Sequence, residues 1–534
     1  QILFCAFPAN SYSCPPGLLA LMAPGLALMA TFSLSSQDGD RRALPVEKPP
    51  GVKGRTLILL DVNTKSPVRI ISENFLSLQL DPSIIHDGWL DFLRAGCRPD
   101  IVRSDIALDK QKGCKIAQHP DIMLELQREK AAQMHLVLLK EQFSNTYSNL
   151  TLTARSLDKL YNFADCSGLH LIFALNALRR NPNNSWNSSN ALSLLKYSAS
   201  KKYNISWELG NEPNNYRTLI GRSVNGSQLG KDYIQLRSLL QLIRTYSRAN
   251  LYGPNIGRPR KNVIALLEGF MKVAGSTVDA QGWEGCLAGA LVAGHGSEAC
   301  SLLLSYVQVV NTYTPGKKIW LEGVGATSAG GMNNLSDSYA AGFLWLNTLG
   351  LLASQGIDVV VRQSFLDHGH NHLVDQNFNP LPDYWLSLLY KRLIGPKVLA
   401  IHVAGLQRKP RPGRVIRDKL RIYAHCTSYH NHNYVRGSIT LYIINLHRSR
   451  KKIKLAGTLR DKMVHQYLLQ PYGKDGLHSK SVQLNGQPLA MVDDGTLPEL
   501  KPRPLRAGRT LVIPPLTMSF YVVKNVNALA CRYR

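Results

Sequence analysis

The stretch that most constrains the fold is residues 205–213, which reads I-S-W-E-L-G-N-E-P. A short apolar run ends at a glycine and is followed by Asn211, Glu212 and Pro213. This order is typical of a buried parallel strand that delivers polar side chains to the rim of a barrel. There, a carboxyl group could protonate a glycosidic oxygen and an asparagine could hold a sugar hydroxyl. The alternative is a surface turn with an incidental glutamate; the apolar run in front favours the barrel interpretation.

The rest of the chain divides into two kinds of pattern. Strand-like and helix-like segments alternate over residues 73–395, which predicts a (β/α)8 barrel of the TIM type. Residues 396–534 show short runs of alternating apolar and polar residues between Gly and Pro turns, which predicts an antiparallel β-sandwich. Residues 37–72 are predicted to be a linker and one strand, 56–62, that joins the sandwich.

The N-terminal residues 1–36 are predicted to be a signal peptide. Their apolar run, 18–32, is interrupted by Pro-Gly and is too short for a membrane span. No later stretch resembles a transmembrane helix, so we expect a secreted protein of the extracellular matrix and cell surface. Six sequons are permissive for glycosylation: Asn149, Asn183, Asn187, Asn204, Asn225 and Asn334. In a secreted chain the nine cysteines are candidates for disulfides.

The charge of the chain predicts a polyanionic partner. The chain has 63 Lys and Arg against 36 Asp and Glu, a formal charge of +27. From residue 401 to the end there are 24 Lys and Arg and 6 Asp and Glu, hence +18 of the +27. A solubilising face is the alternative, but such asymmetry between two domains favours a binding surface. No nucleic-acid motif accompanies the basic clusters, and nucleic acid is the less available polyanion outside the cell, which leaves an anionic membrane surface or a sulfated glycan as the expected partner.

No metal or cofactor is predicted. Residues 323–331 are Gly-rich, but no Gly-Lys-Ser/Thr follows a strand, which argues against phosphate binding. His368, His370 and His372 have H-x-H-x-H spacing on a predicted loop. A zinc site would need a fourth ligand and the paired spacing of structural zinc sites, which this segment lacks.

Several motifs together give the chain a resemblance to the heparanase family, and within it to a paralogue regarded as inactive. They are W-E-L-G-N-E-P, G-P-N-I-G-R-P-R-K, P-G-K-K-I-W-L, L-S-D-S-Y-A-A-G-F-L-W-L and H-L-V-D-Q-N-F-N-P-L-P-D-Y-W-L, which lie within residues 207–386. The resemblance as a whole covers nearly all of residues 56–534. The resemblance implies a barrel with a flanking sandwich, secretion, and heparan sulfate and its proteoglycans as ligands. It also implies the disulfides Cys114–Cys166 and Cys426–Cys531.

The resemblance assigns roles to particular residues. Glu212 takes the position of the acid/base and Asn211 that of its sugar-binding neighbour. Other positions match the substrate cleft or a heparin-binding segment: Asp81, Gly330, Gly331 and Gly369 for the cleft, and Arg258, Arg260 and Lys261 for the segment.

The nucleophile is where this sequence departs from the family. Active heparanases read W-L-G-E-T at the seventh strand, whereas here Trp320 and Leu321 are followed by Glu322 and Gly323. The nucleophile's position is therefore occupied by Gly323, with Glu322 one residue early. Because strand side chains alternate between faces, we expect the offset to turn the Glu322 carboxylate away from the cleft. A retaining glycosidase needs both carboxyl groups, so we predict a chain without endoglycosidase activity.

Two further departures concern folding. Residues 94–100 replace a second barrel strand of the family, which predicts that the barrel either lacks one strand unit or is repaired by another part of the chain. Residues 281–305 are Gly- and Ala-rich where the family has an aromatic strand end.

From the resemblance and the missing nucleophile we expect a secreted protein that binds heparan sulfate without cutting it and sequesters the substrate of heparanase. Association with heparanase itself would be a second mode. The rivals are an active endo-β-glucuronidase with Glu322 as nucleophile, and an isoform that misfolds because of the gap.

Overall fold

The computed structural model describes residues 2–4, 57–80, 152–257, 261–284, 298–325, 331–366, 370–404, 419–493 and 496–533. Only the backbone is described for residues 2–4, Cys166, Lys261, Glu284 and residues 298–304.

The strands, in chain order, are β1 (Ile2–Phe4), β2 (Ile58–Val62), β3 (Arg69–Ile70), β4 (Leu76–Leu80), β5 (Leu171–Leu175), β6 (Ile205–Leu209), β7 (Leu251–Tyr252), β8 (Ala280–Glu284), β9 (Lys318–Val324), β10 (Val359–Gln363), β11 (Ile394–Leu399), β12 (Ile401–Ala404), β13 (Leu420–Thr427), β14 (Ile439–Asn445), β15 (Lys451–Leu455), β16 (Val464–Pro471), β17 (Val482–Leu484), β18 (Gln487–Pro488), β19 (Arg503–Leu505), β20 (Leu511–Ile513) and β21 (Thr517–Val523).

The α-helices are α1 (Ala154–Cys166), α2 (Ser189–Ser200), α3 (Tyr216–Ile220), α4 (Gly226–Leu242), α5 (Lys261–Ala274), α6 (Glu298–Tyr313), α7 (Tyr339–Ser354) and α8 (Pro382–Leu393). Within the described part of the chain, no helix is both long and apolar enough to cross a membrane.

The first domain is a closed barrel of parallel strands in the order β1-β4-β10-β9-β8-β7-β6-β5. All five residues of β5 (LIFAL) and of β6 (ISWEL) are buried, because one face lines the barrel and the other packs against helices. The alternation of strands and helices thus predicted the fold class correctly.

The described barrel is closed, so the first alternative, a barrel that lacks one strand, is wrong and the second, repair by another part of the chain, is confirmed. β1 pairs in parallel with both β4 and β5 and so fills the position assigned to the missing unit. Three residues of the segment predicted to be a signal peptide therefore lie in the barrel sheet; the rest of residues 1–36 and the whole of 94–100 lie outside the described residues. Part of 281–305 is regular, since β8 and the start of α6 come from it.

The second domain consists of two packed sheets. The larger has the order β3-β11-β13-β14-β21-β16-β17-β18, with β19 also paired to β16, and the smaller has the order β12-β2-β15-β20. The strand predicted at 56–62 lies in the smaller sheet as β2, between β12 and β15. Alternate residues of β2 and β15 enter a core shared with the larger sheet, which is the burial expected of a sandwich.

The two domains pack together through α7. This helix is apolar on nearly all sides (YAAGFLWLNTLGLLAS) and is buried on nearly all sides, because the barrel covers one face and the larger sheet the other. Gly342 and Gly350 admit the side chains of Met518 and Tyr423, since a Cβ at either position would lie within 3 Å of them. The Tyr423 hydroxyl also donates to Asn347 Oδ1 over 2.8 Å.

The C-terminal segment is fastened to the sandwich by a disulfide and a buried lysine. Cys426 of β13 is bonded to Cys531, one of the two pairings that the resemblance implied. Lys397 of β11 donates from its ammonium group to the carbonyl oxygens of Ala530 and Tyr533, at 3.1 and 2.6 Å. Cys114 lies outside the described residues, as does the Cys166 side chain.

Candidate functional site

Glu212 lies at the carboxyl-terminal end of β6, as the sequence predicted. Gly210 makes the turn possible: its φ is +73°, and a Cβ there would overlap the Tyr216 hydroxyl. Glu212 is itself left-handed, with a φ of +43°, a conformation that costs a non-glycine residue of order 1 kcal/mol and that clusters at functional sites. Its Oε2 accepts a hydrogen bond from Asn215 Nδ2 at 2.9 Å. The carboxylate is therefore held in place while remaining half-exposed.

Glu322 lies in the barrel interior. Its neighbour two residues earlier, Trp320, belongs to a cluster of interior side chains contributed by five strands, and the Trp320 ring is 4.2 Å from that of Tyr252. Glu322 shares that face and is 0% exposed. Its Oε1 occupies space above Gly282, where a Cβ would be 2.4 Å away.

This placement corrects the expectation that the offset would turn the Glu322 carboxylate away. Alternation from Trp320 puts Glu322 on the inner face, and the pairing of β9 with β10 shifts register just afterwards, from Val360–Leu321 to Arg362–Val324. Gly323 lies in this irregularity with a φ of +64°. Gly323, which the resemblance places at the nucleophile's position, has no side chain, and the adjacent Glu322 carboxylate is buried.

Asn255 connects the two glutamates, and sequence reasoning did not single it out. Its carbonyl accepts from the Glu212 amide at 2.9 Å, and its Nδ2 donates to Glu322 Oε2 at 2.8 Å. It is 1% exposed. The available signal was its place in G-P-N-I-G, a polar residue just beyond a barrel strand.

Buried tyrosines stiffen the backbone around the two glutamates. Burial raises the pKa of Tyr306 and of Tyr233, so both phenols remain protonated donors at neutral pH. Tyr306 donates to the carbonyl of Gly282 at 3.1 Å, and Tyr233 to that of Leu209 at 3.1 Å. The strand ends that carry the site are thus fixed from outside the barrel.

A second part of the rim follows β9 and β10. Gly331 has a φ of +81° and no room for a side chain, because a Cβ would lie 2.9 Å from Asn371 Oδ1. Nearby, the Asp337 side chain, 2% exposed, forms a 2.8 Å ion pair with Lys480 of the sandwich and lies 3.8 Å from His370. The sandwich therefore supports this side of the rim.

Several predicted residues fall outside the described part: Asp81, Asn149, Arg258, Arg260, Gly330, His368, Gly369 and the side chain of Lys261. Among the described sequons, Asn183, Asn204, Asn225 and Asn334 are exposed and Asn187 is half-buried. The described residues contain no cluster of three His, Cys, Asp or Glu side chains that could hold a metal ion.

The fold defines a class: a (β/α)8 barrel protein of the glycoside hydrolase type, whose rim has Glu212 just after β6 and Gly323 beside the buried Glu322 in β9. The model of the glycosyl hydrolase family 79 N-terminal domain matches residues 118–261. The chain is 75% identical over 590 residues to human "Inactive heparanase-2", covering 100% of both chains. It is 42% identical over 513 residues to mouse "Heparanase", covering 88% of this chain and 94% of the mouse protein.

The chain belongs to the heparanase family. The predicted membership is confirmed. The relative with 75% identity is named "Inactive heparanase-2", which agrees with the prediction of a chain without endoglycosidase activity. Among solved structures, a GH51 arabinofuranosidase from Xanthomonas axonopodis pv. citri aligns with a TM-score of 0.52 at 10% identity, over 88% of this chain and 100% of its own. That likeness concerns the fold alone.

Asn255→Ala should lower the free energy of unfolding by about 1–3 kcal/mol, because it removes a donor from a fully buried carboxylate. Urea unfolding followed by tryptophan fluorescence measures the change. Asn190→Ala, an exposed asparagine on α2, is the matched control and should change the value by less than about 0.5 kcal/mol. Equal stability of the two variants would show that Asn255 does not support Glu322.

Proposed function

We propose that this chain is a secreted heparan sulfate-binding protein that keeps the heparanase fold without its endoglycosidase activity, and that it limits heparanase by sequestering its substrate. The observation that carries the proposal is at β9, where Gly323 takes the nucleophile's position and Glu322 is buried against Asn255. Without a nucleophile no covalent glycosyl intermediate can form. Glu212 is left as a half-exposed carboxylate that can hydrogen-bond a sugar.

The alternative function is that of an active endo-β-glucuronidase. One observation favours it, because Glu322 lies in the barrel interior. A nucleophile must, however, approach the anomeric carbon directly, and its carboxyl group must lie about 5 Å from the acid/base. The Glu322 carboxylate is 0% exposed and bonded to Asn255, so a sugar ring has no access to it. This burial favours the binding protein over the enzyme.

Sequestration is supported by charge. Residues 401–534 carry +18 of the net charge of +27. Cations on a protein bind the sulfates and carboxylates of a polyanion, and this binding weakens steeply with salt. A protein that occupies heparan sulfate in this way would compete with heparanase for the same chains.

The test of inactivity is heparan sulfate cleavage by the purified protein, followed by size-exclusion chromatography. Mouse heparanase serves as the positive control and Glu212→Gln as the negative control. We expect no shortening of the chains by the wild-type protein, a rate at least about three orders of magnitude below the control. Shortening by the wild type that Glu212→Gln abolishes would establish the enzyme instead.

The test of sequestration adds this protein to a heparanase digestion. Heparanase should slow as this protein approaches the concentration of binding sites, and more heparan sulfate should restore its rate. Slowing that added substrate cannot relieve would point to direct association with heparanase, and no slowing would contradict the proposal.

A further inference from the structure

We propose that the outer face of the smaller sheet is a binding surface for sulfated polysaccharide, separate from the barrel rim. This outer basic face consists of Lys452 and Lys454 of β15 with Arg506 and Arg509 of the turn before β20. The inference rests on the proposed function only for the class of ligand.

Strand alternation sets the direction of the two lysines. Ile453 and Leu455 of β15 enter the core between the sheets, so Lys452 and Lys454 lie on the opposite, solvent side. The register places Lys452 beside Val512 of β20 and Lys454 beside Leu59 of β2. Both Val512 and Leu59 are 43% exposed, which confirms that this side of the sheet is uncovered by described residues.

A hydrogen bond brings the arginines to the same face. Lys454 Nζ donates to the carbonyl oxygen of Gly508 at 2.6 Å, which anchors the turn 506–509 to β15. Arg506 and Arg509 flank that glycine, and both are exposed. The carboxylates nearby are Asp461, within reach of Gly508, and Asp61, beside Gly457. Four cations against two carboxylates leave the face positive.

The outer basic face is directed away from the barrel. The larger sheet packs on α7 through Met518 and Tyr423, and the smaller sheet lies on its other side. Two sheets, about 10 Å apart, therefore separate this face from the helices of the barrel. A short oligosaccharide bound here cannot contact Glu212. A long polymer could occupy this face and the rim together, which raises its avidity.

A sulfated polymer fits this face better than a membrane or a second copy of the chain. Membrane-surface binding requires a large continuous apolar face. Here Leu57, Leu59 and Val512 are each 43% exposed, but Lys452 and Lys454 of β15 lie between β20, which carries Val512, and β2, which carries Leu59. A second copy would bring a charge of +27 against +27. A flat array of cations instead suits an extended polyanion.

The experiment measures binding of heparan sulfate chains by the full chain as a function of NaCl. The variant Lys452→Gln/Arg506→Gln/Arg509→Gln leaves the Lys454 bond to Gly508 intact. It should bind about tenfold or more weakly near 0.15 M salt, and its log–log salt slope should fall by about two, since each lost contact removes roughly 0.7–0.9 from the slope. The matched control removes three exposed cations of the barrel, Lys196→Gln/Arg244→Gln/Arg248→Gln, and should bind within about twofold of the wild type.

Each outcome decides between the proposals. Equal binding by the triple variant and its control would overturn the outer basic face while leaving the proposed function standing. No binding of heparan sulfate by the wild type would overturn both. Vesicles containing phosphatidylserine form a separate arm: if the triple substitution abolishes vesicle binding and spares heparan sulfate binding, the face binds membranes and this inference is wrong. Circular dichroism and the melting temperature check that each variant is folded.

Discussion

Replacing Asp383 with alanine should lower the free energy of unfolding by about 3–5 kcal/mol, because it leaves a guanidinium buried without its counter-ion. Asp383 of α8 and Arg362 of β10 form a 3.0 Å ion pair with side chains 4% and 1% exposed. The guanidinium also lies 5.0 Å from the ring centre of Trp345. Burial raises the pKa of Asp383 to about 6 even though Arg362 pulls it down, so desolvation outweighs the attraction.

The pair also supports the rim. Arg362 Nη2 donates to the carbonyl oxygen of Asn371 at 3.0 Å, and Asn371 borders Gly331. The loss of Asp383 should therefore loosen this loop as well as destabilise the fold. Urea unfolding measures the stability, and heparan sulfate affinity at fixed salt measures the rim.

Two controls interpret the result. Asp475→Ala removes an exposed carboxylate of the sandwich and should change stability by less than about 0.5 kcal/mol. Arg362→Met/Asp383→Leu removes both charges together and should cost clearly less than Asp383→Ala, because no buried charge is left unpaired. A double variant that is as unstable as the single one would mean that packing, not charge, decides the effect.

The sequence predicted the parts of the molecule that depend on local patterns. The apolar run before Gly210 and the proline after Glu212 determine a strand end whatever lies beside it, and that rim was correctly predicted. The alternation of buried and less buried residues at the start of β13 and in β17 and β20 is likewise a local pattern, and it predicted the strands of the sandwich. Family membership followed from motifs that are contiguous in the sequence.

The predictions that were wrong or missing concern features that depend on residues far apart in the sequence. The direction of the Glu322 side chain depends on which residues of β9 face the barrel interior. Packing of Trp320 on Tyr252 and the register shift against β10 determine this, and neither can be read from the sequence of β9 alone. Closure of the barrel by β1 joins residues 2–4 to strands more than 70 positions away, and three apolar residues carry no signal of such pairing. Asn255 matters because of Glu212 and Glu322, neither of which is near it in the sequence.

Acidification from pH 7 to pH 4 should remove about 3 kcal/mol of stability through His425 alone. This residue of β13 is 1% exposed, and its Nδ1 lies 2.9 Å from the Gly395 carbonyl oxygen, an acceptor, so Nδ1 carries the proton in the neutral ring. Burial lowers the pKa of His425 from 6.5 to about 4, and the Gly395 bond offsets only part of that effect. Tyr390 and Tyr442, the aromatic neighbours, have raised pKa values and remain neutral throughout this range.

The direction follows from the two pKa values. Above pH 6.5 His425 is neutral in both the folded and unfolded states, so its contribution is complete. As the pH falls below 6.5 the unfolded chain binds a proton that the folded chain rejects until about pH 4, and stability decreases over that window. A difference of about 2.5 units corresponds to roughly 3 kcal/mol, at 1.36 kcal/mol per unit.

His425→Gln isolates this effect, because glutamine can still donate to Gly395 and does not titrate. Unfolding free energies from urea titrations between pH 7 and pH 4 should fall about 3 kcal/mol more for the wild type than for the variant. The raised pKa of Asp383 acts in the opposite direction in the same range, but it is present in both proteins and cancels in the difference. His432→Gln, an exposed histidine of the same domain, should leave the wild-type pH dependence unchanged. If the wild type and His425→Gln lose stability in parallel, His425 is protonated in the folded protein, and water or an anion must reach it within the sandwich.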